Sequence, residues 1–221
     1  TAGWVVQAGP FQGMRYVQQS RGSVLIPKLL GCYERELADS LRVLVDRKPD
    51  AIVDVGCAEG YYAVGMSMLV PSAVVFAFDI DPESQRLCKA LAALNGSSDR
   101  VQVNGACDTG ILQSILEQHR RNLVISDCEG YEEVLLDPKM VPTLRRADLL
   151  VEVHEFAKPG VTHLLAERFH ATHRILRIAA VPIDADGIEA LKAYEPALRR
   201  KCASEFRPDG MEWLVCLALD A

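Results

Sequence analysis

Residues 51–60 read Ala-Ile-Val-Asp-Val-Gly-Cys-Ala-Glu-Gly: a short β-branched run carrying one acid, then a turn framed by two glycines. Bounded upstream by Pro49, a run of this length predicts a buried strand. Glycines at 56 and 60 let backbone pass close to a ligand, and the helix expected to follow offers unpaired N–H groups at its start. A strand closing on such a turn is a nucleotide-type signal, and the rest of the chain tests it.

Upstream, Leu37, Leu41, Leu44 and Val45 recur at helical spacing until Pro49, whereas residues 1–32 show no sustained period and are expected to be irregular. Downstream, YYAVGMSML (61–69) predicts a helix and AVVFAF (73–78) a second strand. Asp81-Pro82 open a further helix that Asn95-Gly96 close. The alternation continues through strands at 101–106, 122–126 and 147–153, a helix after Pro159-Gly160, and strands at 174–181 and 212–219. Parallel strands need crossovers, and crossovers cover both faces of a sheet. The expected fold is therefore α/β: a doubly wound, mostly parallel, seven-stranded, Rossmann-like sheet. Residues 49–221 form the expected domain, and 1–48 an N-terminal lid or brace.

The composition agrees. With 221 residues, 49% hydrophobic and 24% charged, the chain has the balance of a globular domain, not of a disulfide scaffold or a disordered tail. A net charge of −6 disfavours a phosphate-backbone partner, so no nucleic acid is expected. Seven cysteines without a C-x-x-C pair point to free thiols in a reducing, cytoplasmic compartment. No stretch reaches the roughly 20 apolar residues of a membrane span.

In a doubly wound sheet the ligand lies beyond the carboxyl ends of the strands. The first such position is the turn at 54–60. The dinucleotide fingerprint wants a small residue right after Gly60, and Tyr61 stands there, which weakens a nicotinamide or flavin reading. Asp79 ends the second strand, where a carboxylate can accept ribose hydroxyls, and Asp108 follows the third, where an acceptor can take an adenine amine. Each has a plainer alternative: Asp54 bracing the turn, Asp79 a solvated strand end, Asp108 a helix cap. Glu59 reads either as a partner for a ligand ammonium or as a solvent-facing acid favoured by the helix dipole.

Taken together, residues 50–155 resemble the class I S-adenosylmethionine (SAM) methyltransferases, with Ala58 where their middle glycine stands. The resemblance assigns the cofactor, released as S-adenosylhomocysteine (SAH), to Asp54, Gly56, Cys57, Ala58, Glu59, Gly60, Asp79, Ile80 and Asp108. The run Asp127-Cys128-Glu129-Gly130-Tyr131-Glu132 is similar to the D-x-E-G-x-E signature of FkbM-type methyltransferases. So is the strand-end pair Glu152 and His154, and the early segments GPFQGMRY (9–16) and PKLLGCYERE (27–36) look like a bacterial subgroup of that family. This resemblance implies O-methylation of a small-molecule or saccharide hydroxyl.

An alcohol attacks a methyl only once its proton has somewhere to go. His154 is the expected base and Asp127 its orienting partner. Glu129, Glu132 and Tyr33 are expected to bind the acceptor, the two glutamates having helix capping as the alternative. Asp127, Glu129, Glu152 and His154 also form a conceivable divalent-cation set, but no close-spaced ligand motif supports it and no metal is assigned. The competing readings are a catalytically silent SAM-binding module and, less favoured, a nicotinamide oxidoreductase. The Asn-Pro-Pro-Tyr of amino-methyltransferases is absent after the fourth strand. Assembly into a homo-oligomer is left open.

Overall fold

The computed structural model describes residues 4–208 and 210–219. The lead-in is less irregular than its sequence implies. Val5 and Arg15 form an antiparallel bridge, and α1 (Leu25–Leu30) ends at Gly31 with φ +76°. Six residues are too few to show a period, which is why α1 escapes pattern reading. A 3-10 turn at Arg35–Leu37 precedes α2 (Ala38–Asp46), so the helix begins later than Tyr33. Glu34 sits at φ +49°, outside helical geometry.

From there the predicted alternation holds: β1 (Ala51–Val55), α3 (Tyr61–Leu69), β2 (Val74–Phe78), α4 (Pro82–Leu94), β3 (Val101–Asn104), α5 (Thr109–Glu117) and β4 (Asn122–Ser126). A single-turn α6 (Glu132–Leu135) leads to β5 (Asp148–Val153), then α7 (Val161–Phe169), β6 (His173–Ala179), α8 (Pro196–Ala203) and β7 (Glu212–Ala218). Asp81 caps α4, its carboxylate accepting from the Glu83 and Ser84 amides, with Pro82 at the first helical position.

The seven strands run in the order β3-β2-β1-β4-β5-β7-β6. All neighbours are parallel except β7, which lies antiparallel between β5 and β6. Central strands β1, β4 and β5 are buried along their whole length, as strands covered on both faces must be. On one face Met66, Leu91 and Leu44 pack on the sheet with Trp213; on the other, Leu112, Leu144, Leu165 and Phe169 do so. Burying each such side chain contributes about 1.5–3 kcal/mol.

Phe11, Met14 and Tyr16 belong to the first of these cores. Phe11 stands edge-on to Tyr61, with ring centroids 5.0 Å apart. Gly65 makes room for it: a Cβ there would lie 2.6 Å from the Phe11 ring.

Strand order reverses between β1 and β4, since β1 leads outward to β2 and β3 while β4 leads the other way to β5. That reversal opens a crevice at the strands' carboxyl ends.

Candidate active site

A cavity of about 870 Å³ fills this crevice and extends from the β2 and β3 ends to the β5 end. Its size is that of a cofactor-plus-substrate site.

At one end is the turn after β1. Gly56 has φ +85°, and a Cβ there would sit 1.7 Å from the Asp127 carbonyl oxygen, so only glycine lets the β1 and β4 exits pass each other. Ala58 takes φ +48°, and its N–H donates to Asp79 Oδ2 at 2.8 Å. Asp79 Oδ1 accepts from the Asp81 N–H at 2.8 Å. Both oxygens thus brace backbone while keeping further lone pairs for a ligand on the cavity wall. Asp54 is buried beneath the turn, and burial pushes its carboxyl up to about 7, against the pull of a hydrogen bond from the Ala63 amide. Its Oδ2 has no donor among the described residues. Cys57 also lines the cavity, as do Asp108 and Ile80, the latter 82% exposed. Asp108 additionally caps α5 through the Ile111 N–H at 2.8 Å, so the capping alternative is realised at a residue that still faces the cavity.

Two positions of the turn are placed differently. Gly60 is off the cavity; a Cβ there would lie 2.7 Å from Cys88 Sγ, so this glycine lets α3 approach α4. Glu59 is neither solvent-facing nor open to a ligand: it is fully buried and off the cavity wall. Its Oε1 accepts from Lys28 Nζ at 2.6 Å, Tyr16 Oη at 2.6 Å and Ser20 Oγ at 2.8 Å, and its Oε2 from the Arg21 N–H at 2.9 Å. The physical reason is the N-terminal segment, which folds across the turn and needs a buried anion to receive Lys28. Arg21 then ion-pairs with Asp81 at 2.9 Å beside the cavity.

At the other end, Asp127 leaves β4 and Glu129 (φ +54°) and Gly130 (φ +102°) turn the chain back. The turn aims Glu132 inward, where Oε1 accepts from the Cys128 N–H at 3.0 Å and meets His154 Nδ1 at 2.9 Å. Glu132 is therefore no acceptor ligand. It is fully buried behind the imidazole, away from the cavity. His154 is 2% exposed, and its Nε2 faces Asp127 Oδ1 at 3.4 Å, Glu129 Oε2 at 3.6 Å and Glu152 Oε2 at 4.0 Å. Burial alone lowers the imidazole's pKa, but the Glu132 hydrogen bond and the charges of Glu132, Glu152 and Glu129 outweigh it and leave it raised. Burial, then Glu152, hold Asp127 well above the usual carboxylate range. Asp127, Glu152 and His154 place one donor atom each within 4.8 Å of one another, a spacing that admits a divalent cation as well as a protonated imidazole.

Behind this end lies a network invisible in the sequence. Arg207 Nη1 donates to Glu152 Oε1 at 2.5 Å, Nη2 to Tyr33 Oη at 3.1 Å and to Glu34, and Nε pairs with Glu205 at 2.7 Å. Tyr62 also donates to Glu34, whose carboxyl burial raises to about 7 in spite of Arg207. Tyr33, expected at the acceptor, does line the cavity. The histidines at 163 and 170 are solvated, and His173 is buried with Nε2 on the Ala147 carbonyl at 2.8 Å. No helix among the described residues is long and apolar enough to cross a membrane.

No family model matches this chain, and no curated protein does. Among solved structures, it is similar to an rRNA methylase from Streptococcus thermophilus, at 12% identity and a TM-score of 0.55 over 85% of this chain and 98% of that one. It is also similar to an O-methyltransferase from Bacillus cereus in complex with SAH, at 11% identity and a TM-score of 0.51 over 79% and 77% of the two chains. At such identities the likeness establishes the fold, the Rossmann-like methyltransferase architecture, with the antiparallel β7 slotted between β5 and β6.

Proposed function

We propose that the chain is a SAM-dependent methyltransferase of FkbM type that methylates a hydroxyl of a small molecule or saccharide. The observation that carries this reading is the cavity itself. One continuous space joins a glycine turn and strand-end carboxylates suited to a nucleoside with a buried imidazole held by a carboxylate.

The residues present fit the cofactor. Gly56, pressed against the Asp127 carbonyl, brings bare backbone to the cavity wall, Asp79 retains lone pairs for ribose hydroxyls, and Asp108 and exposed Ile80 stand where an adenine would lie. When bound, SAM supplies an electrophilic methyl on its sulfonium and leaves as SAH. Everything else is the chain's own work. The sheet sets the acceptor end at β4 and β5, where Asp127 would hold and orient an acceptor hydroxyl. His154 Nε2 would take the proton of the acceptor hydroxyl. Glu132 fixes Nδ1, so the ring presents Nε2 to the cavity. The strap across residues 16–28 closes the turn from above through Glu59.

All seven cysteines are free thiols, which supports a reducing, cytoplasmic setting. A small-molecule acceptor is favoured over nucleic acid by the excess of acids along the cavity.

The test is calorimetric titration with SAH beside NADH, in the wild type and in Asp79→Ala. Saturable SAH binding that the variant loses is the expected outcome; NADH binding in place of SAH overturns the reading.

A further inference from the structure

Three consecutive residues before β7 point in opposite senses. Glu205 and Arg207 turn inward: Glu205 accepts from the Glu34 N–H at 2.8 Å, and Arg207 is tied to Glu152, Glu34 and Tyr33. Phe206 between them takes φ +53°, a conformation that costs a bulky residue energy, and is 68% exposed. Pinned on both sides, the chain holds this ring out. The ring is a wall shared by two spaces, for Phe206 lines the main cavity and also a second one, of about 310 Å³, lined by residues of α1 and α8.

The second space is an apolar groove. Ile26 and Pro27 of α1 and Leu198 of α8 line it, and Ile26 and Leu198 remain 48% and 39% exposed. Among its described lining residues Lys201 alone is charged, and a lysine stem lies along apolar surface while its ammonium reaches water. Open apolar side chains beside a ligand cavity mark a place where hydrocarbon leaves water. The volume stands at the lower end of the roughly 300–1,000 Å³ of small-molecule sites, whereas a second copy of the chain needs a face of about 800 Å². Phe206 adjoins Arg207, which holds Glu152 at 2.5 Å, so the groove opens beside the acceptor end and not the nucleoside end.

Within the methyl-transfer reading, on which this inference rests, we propose that the acceptor is an amphiphile: a hydroxylated head of the glycoside class carrying an unbranched alkyl or acyl chain. The head enters the acceptor end, where its hydroxyl meets His154. The chain leaves across the Phe206 ring and lies in the groove against Ile26, Pro27 and Leu198. A free monosaccharide fills only the first of these spaces and binds weakly.

The experiment titrates the SAH-loaded protein with glucose and with butyl, hexyl and octyl β-glucoside, each below its micellar concentration, by calorimetry. Affinity is expected to climb about two- to fourfold for each added methylene, the value of hydrocarbon taken out of water. Leu198→Asp and, separately, Ile26→Asp put a charge into the groove at partly exposed positions that the fold tolerates, and each is expected to flatten that climb. A series independent of chain length, a climb that both variants retain, or no binding by any glucoside overturns the inference. So does a flat series in which the wild type sediments with phosphatidylcholine–phosphatidylglycerol vesicles, or forms a dimer, and Leu198→Asp does not: the groove would then serve a membrane surface or a second copy. SAH affinity, measured on the same samples, separates these results from a failure of the transferase reading, in which SAH itself does not bind.

Discussion

Glu132 Oε1 lies 2.9 Å from His154 Nδ1, and both side chains are buried, so the imidazole is held from behind by a carboxylate and offers only Nε2 to the cavity. The pairing orients the ring and raises its basicity, which sets the pH at which Nε2 is free to take a proton.

Glu132→Gln removes the charge and keeps the shape. The raised pKa of His154 then falls, and the acidic limb of the kcat/KM profile is expected to move to lower pH by about one unit. Stability follows the linkage. His154, with its folded pKa raised, contributes stability below its ordinary value of about 6.5 that is lost as pH rises through the folded pKa. Glu132, with its folded pKa lowered, contributes stability above its ordinary value of about 4.3 that is lost on acidification. The deficit of the variant is therefore expected to peak between about pH 4.5 and 6.5 and to shrink in alkali, as thermal melts across pH would show.

Asp54 works in the opposite sense. Its folded pKa of about 7 stands above the ordinary carboxylate value, so the folded state holds the proton more firmly than the unfolded chain. Stability is accordingly lost as pH rises from about 4 to about 7. Asp54→Asn is expected to melt higher than the wild type at pH 8, by roughly 1–4 kcal/mol in stability, and level with it at pH 4. A variant less stable at pH 8 would contradict this account.

Gly56→Ala forces a Cβ to within 1.7 Å of the Asp127 carbonyl oxygen at φ +85°. Something must move where β1 and β4 exit, and the variant is expected to lose about 2–4 kcal/mol and its SAH affinity together. Gly96→Ala, with open space at its Cβ and φ +65°, is the control: it bears backbone strain without the collision and retains SAH affinity.

Lys28→Met leaves Glu59 buried without its cation. Breaking a buried pair from one side costs about 3–5 kcal/mol. The strap is expected to loosen first, so limited proteolysis cuts the variant between residues 16 and 28 at temperatures where the wild type resists. Glu59→Gln paired with Lys28→Met recovers much of the loss if the penalty comes from the unpaired charge.

Much of this protein was legible one residue at a time. β1, β2, β4, β5 and β7 are predominantly apolar runs whose burial is a local property, and Asp81-Pro82 or Asn95-Gly96 mark helix ends by their own backbone chemistry. Positions such as Asp79, Asp108, Asp127 and His154 follow from topology, because a doubly wound sheet delivers strand ends to one crevice. The fates of the carboxylates were not legible. Glu59, Glu129 and Glu132 look alike along the chain, yet one anchors a strap, one is exposed at the cavity wall and one is locked behind an imidazole. What separates them is the partner, and partners arrive from afar: Lys28 for Glu59, 31 residues away, and Arg207 for Glu34, 173 residues away. Burial pattern is written by periodicity, a short-range property that sequence carries by itself. Charge pairing depends on which distant segments the packed core brings within about 3–4 Å, and only the tertiary structure decides that.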